Sequence, residues 1–565
     1  MKRAFLLFIV LSLLRQSGTV EQDAAHCVAA ATLRIPEAGD ARSWPDAPPD
    51  PDGSAWSEGL PLNQEHSAPQ IISSGADKPY IEAYTDKKSY LPGETIHFHV
   101  STTAATYNIE IRKEGWTRKT IAKVTDLPGT YYPVPPYAEQ PWAEGANWPV
   151  SYSWTVPAEW ENGNYLALVL TTSGEYTSTY HPFIVRTAVP GSRSKVAFVM
   201  NYNNRQAYNR WGGKSLYYSG VLGDPHYAVA VSFLRPFADS SGRGKGYWGQ
   251  WELSSLLQAD GFDPEFITEW DICSDPAILR AYDVLVFAGH HEYISRNTYD
   301  ALEAHHHRGG HLAFFSGNDI YWQVRFEDQG NKMVGYKSYA LSEDPMVGVD
   351  DSLVTTLWKQ KPVNRPPEAL QGISYVPYSY FFEREDFIIQ DCNHFMFEGT
   401  DLKNGDALGW KIASSETDYI GPNSPPIMDV VLLARRDRVR PGYERYVHVD
   451  HVDAAAIYYE DSSQYGFPNG RGGQVFSAGT EHGWGDAIGD WSEGYETVRK
   501  VTRNIVQHMV DAPPPAADLQ DLTALISHWL DECGSPDWCE YADLDMNGTV
   551  DLTDFAYLAA DWLDD

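Results

Sequence analysis

The stretch Asp283-Val-Leu-Val-Phe-Ala288-Gly289-His290-His291-Glu292-Tyr293 joins an apolar run to a polar ending. The run is typical of a buried parallel strand, and a histidine and a carboxylate follow it directly. In open α/β sheets, ligands bind just beyond the carboxyl ends of the strands. The stretch therefore predicts an α/β sheet with a functional site where this strand ends.

Two other apolar runs end in the same way. Lys195–Met200 leads to Tyr208, and His311–Phe315 leads to Asn318. If the three strands lie side by side, Tyr208, Glu292 and Asn318 converge on one crevice. The alternative is that these polar residues only cap loops, which is the commoner role of such residues.

Composition limits the kinds of partner. The chain has 565 residues and a formal net charge of −34, which argues against binding to nucleic acid or to anionic membranes. Residues 1–20 combine a basic start with a short apolar core and predict a signal peptide. No later run reaches the length of a transmembrane helix, so a secreted or cell-surface location without a transmembrane anchor is expected.

Hydrophobic periodicity divides the rest of the chain into domains. Residues 21–78 are rich in Pro, Asp and Ser and predict an irregular linker. Short alternating strands predict a β-sandwich over 79–190, and strand–helix alternation predicts an α/β domain over 191–510, with antiparallel additions within it. A Pro-rich linker, 511–516, precedes a small all-α domain, 517–565, in which two similar segments start 33 residues apart.

The second repeat contains a calcium-loop pattern. Oxygen-bearing residues occupy loop positions 1, 3, 5, 7, 9 and 12 of an EF-hand, and Gly548 stands at the turn position. This spacing wraps hard oxygens around one Ca²⁺ ion, with the Thr549 backbone carbonyl as one ligand. The predicted ligands are Asp543, Asp545, Asn547, Thr549, Asp551 and Asp554.

Two loop–helix repeats at the end of an exported chain resemble a type I dockerin, a family that binds cohesin domains on scaffold proteins. The resemblance implies a cohesin-type scaffold partner. The first repeat departs from the family because Pro513-Pro-Pro-Ala-Ala517 replaces its calcium half-loop. Cys533 and Cys539 are close together and predict a disulfide, whereas Cys273 and Cys392 are expected either to pair or to stay free. The pairing of Cys27 stays open.

Motifs of the central part resemble the large subunit of N,N-dimethylformamidase. They are Ala207-Tyr208-Asn209 with Trp211-Gly212-Gly213, then Gly289-His290-x-Glu292-Tyr293, then Ser316-Gly317-Asn318-x-x-Tyr321-Trp322-Gln323-x-Arg325. The resemblance covers about residues 80–510. It implies a glutamine-amidotransferase-like fold for the catalytic domain and a mononuclear iron held by two tyrosines and one glutamate.

Carried over onto this sequence, the resemblance implies Glu292 and Tyr208 as iron ligands, with Tyr165 as the second phenol. It implies that four further catalytic residues line the site, namely His290, Asn318, Lys337 and Glu481, with Glu292 also in a catalytic role. Phenolate and carboxylate are hard oxygen ligands, so the residue types agree with a hard cation such as Fe³⁺.

Two hypotheses follow from the sequence. The first is a secreted, metal-dependent hydrolase of amide-type C–N bonds, acting on an amide-bearing substrate that is carried by a glycan or a peptide. The second is a non-catalytic carbohydrate-binding or structural component of a polysaccharide-degrading system, which the 13% aromatic content also fits. A thiol amidotransferase is disfavoured because neither Cys273 nor Cys392 lies in a glycine-framed strand–turn–helix elbow.

Overall fold

A computed structural model describes residues 79–173, 176–219, 226–239, 242–244, 246–425, 428–436, 452–460, 472–489 and 492–563. The predicted signal peptide, the predicted linker 21–78 and Cys27 lie outside the described residues. The chain divides into two compact units, with the boundary at residues 515 and 516. None of the described helices is long and apolar enough to cross a bilayer.

The first unit, which consists of residues 61–515, begins with two sheets that share one apolar core. One sheet has three strands and the other has five, and residues such as Phe98 and Ile109 from opposite sheets meet between them. The architecture is a β-sandwich, as the alternating pattern predicts. The strands are β1 (Ile81–Thr85), β2 (Ser89–Tyr90), β3 (Thr95–Thr102), β4 (Thr106–Lys113), β5 (Lys119–Pro128), β6 (Tyr152–Thr155), β7 (Gly163–Thr171) and β8 (Ser178–Val185).

An eight-stranded sheet follows in the order β11-β9-β12-β14-β22-β21-β20-β18. The first five strands in this order are parallel, and the last three join antiparallel. Every residue of the three central strands is buried, because helices and loops cover both faces of a parallel sheet. The strands are β9 (Val196–Met200), β11 (Glu265–Thr268), β12 (Val284–Gly289), β14 (His311–Ser316), β18 (Ile388–Ile389), β20 (Asp429–Arg436), β21 (Val452–Glu460) and β22 (Gln474–Ser477).

Two smaller sheets complete the first unit. One contains four strands, β10 (Ala230–Ser232), β13 (Tyr293–Ser295), β15 (Trp322–Glu327) and β16 (Lys332–Val334). The other pairs β17 (Ser374–Glu385) with β19 (Ala413–Tyr419) and contains register shifts. This irregular pair supplies acidic side chains to the site described below.

Helices pack around these sheets and in the tail. Arg296–His307 begins after Ser295, whose side chain accepts from the Thr298 N–H and caps the helix. Tyr495–Val510 buries one apolar stripe against the core, as its 3.6-residue period predicts. The other α-helices of the described residues are Pro141–Glu144, Tyr202–Ala207, Tyr247–Ala259, Glu269–Ser274, Ala340–Glu343, Glu368–Gln371, Gly483–Ile488, Leu519–Ser527, Trp538–Tyr541 and Leu552–Leu563.

Candidate functional site

Two phenols converge on the Glu292 carboxylate just beyond the end of β12. The Tyr208 hydroxyl donates to Glu292 Oε2 over 3.1 Å, and the Tyr217 hydroxyl donates to Glu292 Oε1. The two rings stack at 4.4 Å between centroids, with 10° between their planes. Glu292 is fully buried, and the two tyrosines are partly buried beside it.

The stacking follows from a backbone contact within the phenol loop, which we define as residues 206–217. The Leu216 N–H donates to the Ala207 carbonyl over 3.0 Å, so that the following residues in each arm, Tyr208 and Tyr217, lie side by side. The chain reverses at Gly212 and Gly213, which have φ of 83° and 114°. Such positive angles favour glycine over residues with a Cβ.

The structure does not bring Tyr165 to these phenols. Its ring lies in the β-sandwich core, stacked between Trp160 and Phe183, and its hydroxyl donates to the Glu161 carbonyl over 2.6 Å. The expectation for Tyr165 is corrected accordingly, and Tyr217 is the phenol that the sequence interpretation missed. A tyrosine in an irregular loop gives no periodic signal that could have revealed it.

His290 lies between two carboxylates. Its Nδ1 donates to the Gly317 carbonyl over 2.8 Å, so this nitrogen carries a proton. Its Nε2 is 3.1 Å from Glu292 Oε2 and 3.2 Å from Glu416 Oε2. Burial alone would lower the pKa of His290, but Glu481, Glu292 and Glu416 outweigh it and raise this pKa well above its ordinary value.

The same charges act on Glu292. Burial works to raise the pKa of its carboxyl group, but hydrogen bonding and charge from His290, with the charge of Lys337 and a hydrogen bond from Tyr217, hold the pKa below its ordinary value. Glu292 is therefore an anion at neutral pH.

Glu416 is a second site residue that the sequence interpretation missed. It lies on β19, and its Oε2 accepts from Asn318 Nδ2 over 2.9 Å. Two residues further on, the buried Asp418 accepts from the Asn318 backbone N–H over 2.9 Å. Residues 414–418 are all polar, which favours exposure, and the sequence alone therefore conceals this role.

Glu481 reaches the cluster through a close backbone approach. A Cβ on Gly317 would lie 2.7 Å from the Thr480 backbone and 2.8 Å from the Glu481 nitrogen, so only glycine fits there. Glu481 accepts from the Ser415 hydroxyl over 2.5 Å and lies 2.8 Å from His482 Nε2. One ligand atom from each of His290, Glu416 and Glu481 lies within 4.8 Å of the others.

Lys337 covers the outer face of the Tyr217 ring. Its Nζ lies 3.3 Å from the ring centroid and donates to the Leu216 carbonyl over 2.9 Å. It also contacts the Tyr293 hydroxyl at 3.4 Å. The structure therefore brings together Tyr208, Glu292, His290, Asn318, Glu481 and Lys337 from the sequence-predicted set, and adds Tyr217 and Glu416.

The donor set fits a hard cation. Burial, followed by the charge of Glu292, raises the pKa of both Tyr208 and Tyr217 well above the ordinary phenol value. The two phenols, which both contact one carboxylate, therefore resist ionisation unless a cation is bound. A multivalent cation would favour their ionised forms and accept three hard oxygens, as Fe³⁺ does.

The tail unit forms a compact acidic loop of its own. Carboxylate oxygens of Asp543, Asp545 and Asp554 lie within 4.8 Å of one another. The Gly548 N–H donates to Asp543 Oδ2 over 2.9 Å, and Gly548 has a φ of 103°. Burial, with a smaller contribution from Asp554 and Asp545, raises the pKa of Asp543 to about 6.

The two tail repeats share one capping arrangement. Asp518 accepts from the Gln520 N–H and donates its own N–H to Asp521, and Asp551 repeats this pattern with Thr553 and Asp554. In the first repeat the carboxylates therefore cap a helix. Cys533 and Cys539 form the predicted disulfide, and Cys273 and Cys392 are free thiols.

Comparison with known proteins gives one informative match. No curated protein matches the chain. Among solved structures, the crystal structure of Spo0M, a sporulation control protein from Bacillus subtilis, is similar at 12% identity and a TM-score of 0.13, over 19% of this chain and 49% of that one, which carries no argument about fold. The model of the family described as "N,N-dimethylformamidase beta subunit-like, C-terminal" matches residues 108–495, more than half of the chain. The chain therefore belongs to the N,N-dimethylformamidase beta subunit-like, C-terminal family.

Proposed function

We propose that the first unit is a metal-dependent hydrolase of amide-type C–N bonds. The observation that carries this proposal is the convergence of the Tyr208 and Tyr217 hydroxyls on the buried Glu292 carboxylate, beside His290. Family membership supports an amide-hydrolase-like activity. The parallel strands β11-β9-β12-β14-β22 support the further inference that the fold is glutamine-amidotransferase-like.

Tyr208, Tyr217 and Glu292 are the residues that would hold the metal, and a mononuclear iron fits their oxygens best. Such an ion supplies Lewis-acid polarisation of the amide carbonyl and lowers the pKa of a bound water. The chain's own part is to bury the site and to fix the three oxygens. It also places Asn318, whose amide lies beside Glu416, to donate a hydrogen bond to substrate oxygen.

Proton transfer falls to His290 and the carboxylates around it. Hydrolysis adds one water across the C–N bond, so one proton leaves the attacking water and one proton reaches the departing amine nitrogen. His290 Nε2 faces Glu292 and Glu416, and its Nδ1 proton is fixed on the Gly317 carbonyl. We assign the proton transfer to His290 Nε2 with Glu416, and we assign Glu481 to the same acidic cluster.

Metal analysis and spectroscopy test this proposal directly. Purified protein is expected to contain about one equivalent of iron and to show a visible tyrosinate-to-iron charge-transfer band. A panel of N-acyl and N-alkyl amides is expected to yield free amine. The proposal would be refuted if the purified protein contained no transition metal in near-stoichiometric amount and released no amine from these substrates.

We further propose that the tail binds one Ca²⁺ and tethers a secreted enzyme to a cohesin-type scaffold, as a type I dockerin does. The crowded carboxylates of Asp543, Asp545 and Asp554 support the calcium site. The repeated caps 33 residues apart, at Asp518 and Asp551, support the dockerin assignment. Pull-down with cohesin domains in the presence and absence of calcium tests both parts separately.

The alternative is a non-catalytic carbohydrate-binding component. Exposed aromatic side chains favour it, because sugars stack on such rings: Trp116, Tyr131 and Tyr176 are each more than half exposed. Glycan binding without turnover, unchanged in Glu292→Gln, would decide for this alternative. A buried cluster of carboxylates and phenols is costly to maintain, and a sugar-binding surface does not need one.

A further inference from the structure

The phenol loop is held from outside the site by one arginine. Arg235 is fully buried, and its guanidinium donates to three backbone carbonyls. The distances are 2.9 Å from Nε to Ser232, 2.7 Å from Nη1 to Trp211 and 3.1 Å from Nη2 to Gln206. Gln206 and Trp211 flank Tyr208, so the guanidinium spans the segment that carries this phenol.

The charge of Arg235 has no carboxylate partner among the residues that the structure describes. Burial alone lowers its pKa to about 9. A buried charge without a counter-ion destabilises the fold, and a well-packed apolar residue would avoid this cost. The three carbonyl contacts offset part of that cost, and two of them fix the phenol loop.

A second side chain ties the loop to the same segment. Asn209 Nδ2 donates to the Pro236 carbonyl over 2.9 Å, and Asn209 Oδ1 accepts from the Ala238 N–H over 3.0 Å. The Leu216 N–H then links the second arm of the loop to Ala207. Displacement of the first arm therefore moves both phenols relative to Glu292.

We propose that Arg235 is a positioning residue that fixes the phenol loop and thereby sets the metal affinity of the Tyr208–Tyr217–Glu292 site. The inference rests on the proposed function, since it assigns a role in metal binding. Arg235 itself touches neither substrate nor metal, and it acts through the carbonyls on either side of Tyr208.

The test compares Arg235→Gln and Arg235→Lys with a matched control, Arg365→Gln. Arg365 is also largely buried, but it pairs with Asp300 and Glu303, away from the phenols. Arg235→Gln is expected to weaken iron binding by about 10-fold or more, because the contacts that orient the Tyr208 segment are lost. The charge-transfer band should shift as well. Arg365→Gln should lower thermal stability and leave both readouts unchanged.

Amide hydrogen exchange on the metal-free protein supplies an independent readout. Residues 206–217 should exchange faster in Arg235→Gln, and Arg235→Lys, which keeps the charge, should recover part of the protection and the affinity. The proposal would be overturned if a folded Arg235→Gln variant kept both the iron affinity and the amide exchange of the wild type. If Arg235→Gln does not fold, the same two measurements on Arg235→Lys decide the question. Absence of metal from the wild type would refute the proposed function, and exchange alone would then show whether Arg235 fixes the loop.

Discussion

Replacing Tyr217 with phenylalanine isolates one oxygen of the proposed metal site. Phenylalanine keeps the ring, its stacking on Tyr208 and most of its contact with Lys337. The only group removed is the hydroxyl that donates to Glu292. A hydrogen bond to a charged group contributes about 1.5–3 kcal/mol, so the stability loss should stay within that range.

Metal binding should fall much further than stability. Loss of a residue that hydrogen-bonds to a metal ligand typically costs about 10–100-fold in metal affinity, and loss of a direct ligand should exceed that. Because each factor of ten is about 1.4 kcal/mol, we expect a loss of roughly 3 kcal/mol or more in binding free energy. Iron content after dialysis and the intensity of the visible band measure it.

Tyr165→Phe is the matched control. It also deletes one tyrosine hydroxyl, which donates to the Glu161 carbonyl in the β-sandwich. This change should cost about 1 kcal/mol of stability and leave iron content and the band unaltered. The assignment of Tyr217 as a ligand would be refuted if Tyr217→Phe retained iron and the band at the level of Tyr165→Phe.

Three further predictions concern other parts of the chain. Glu416→Gln should lower kcat by about 100-fold or more with iron content unchanged; loss of iron instead would make Glu416 a ligand. Asp543→Asn, or chelation of the wild type, should speed amide exchange in 516–563 alone, and equal exchange with and without calcium would contradict the site. Lys88 has a pKa near 7 in the folded protein because burial disfavours its charge. In the unfolded chain the pKa of this lysine is 10.5. Between pH 7 and pH 10.5 the unfolded chain therefore binds a proton that the folded protein does not, and the stability of the folded protein rises with pH. Lys88→Met should therefore stabilise most at or below pH 7, and urea denaturation should show this gain shrinking by about 1.4 kcal/mol per pH unit above pH 7.

The sequence predicted the sheet well because its signal is local. Three apolar runs became adjacent parallel strands, β9, β12 and β14, with ends within one residue of the predicted positions. Burial on both faces requires a continuous apolar run, which is visible without any tertiary information. Antiparallel additions within the α/β domain were also expected, although their pairings were not.

The site was only partly predictable because its remaining residues come from irregular segments. Tyr217 reaches Glu292 through a loop reversal at two glycines, and no periodic rule places it there. Glu416 lies on a strand whose polar residues predict exposure, yet the strand is covered. Tyr165 follows a motif-like Asn162-Gly-Asn, but its strand β7 directs it into the sandwich core. In each case tertiary packing, and not local pattern, decides the position.

The charges around Glu292 favour a cation at the proposed metal site. Among the described residues, Glu292, Glu416 and Glu481 are all buried; His290 lies between Glu292 and Glu416, the charge of Lys337 acts on Glu292, and His482 Nε2 lies 2.8 Å from Glu481. Burial makes any uncompensated charge expensive, so an added anion at this position would need a counter-charge. Ionising Tyr208 and Tyr217 would add two further negative charges, which only a multivalent ion at this position would offset. Metal uptake at the proposed site would therefore release phenolic protons, and we expect the ion to bind more tightly as pH rises.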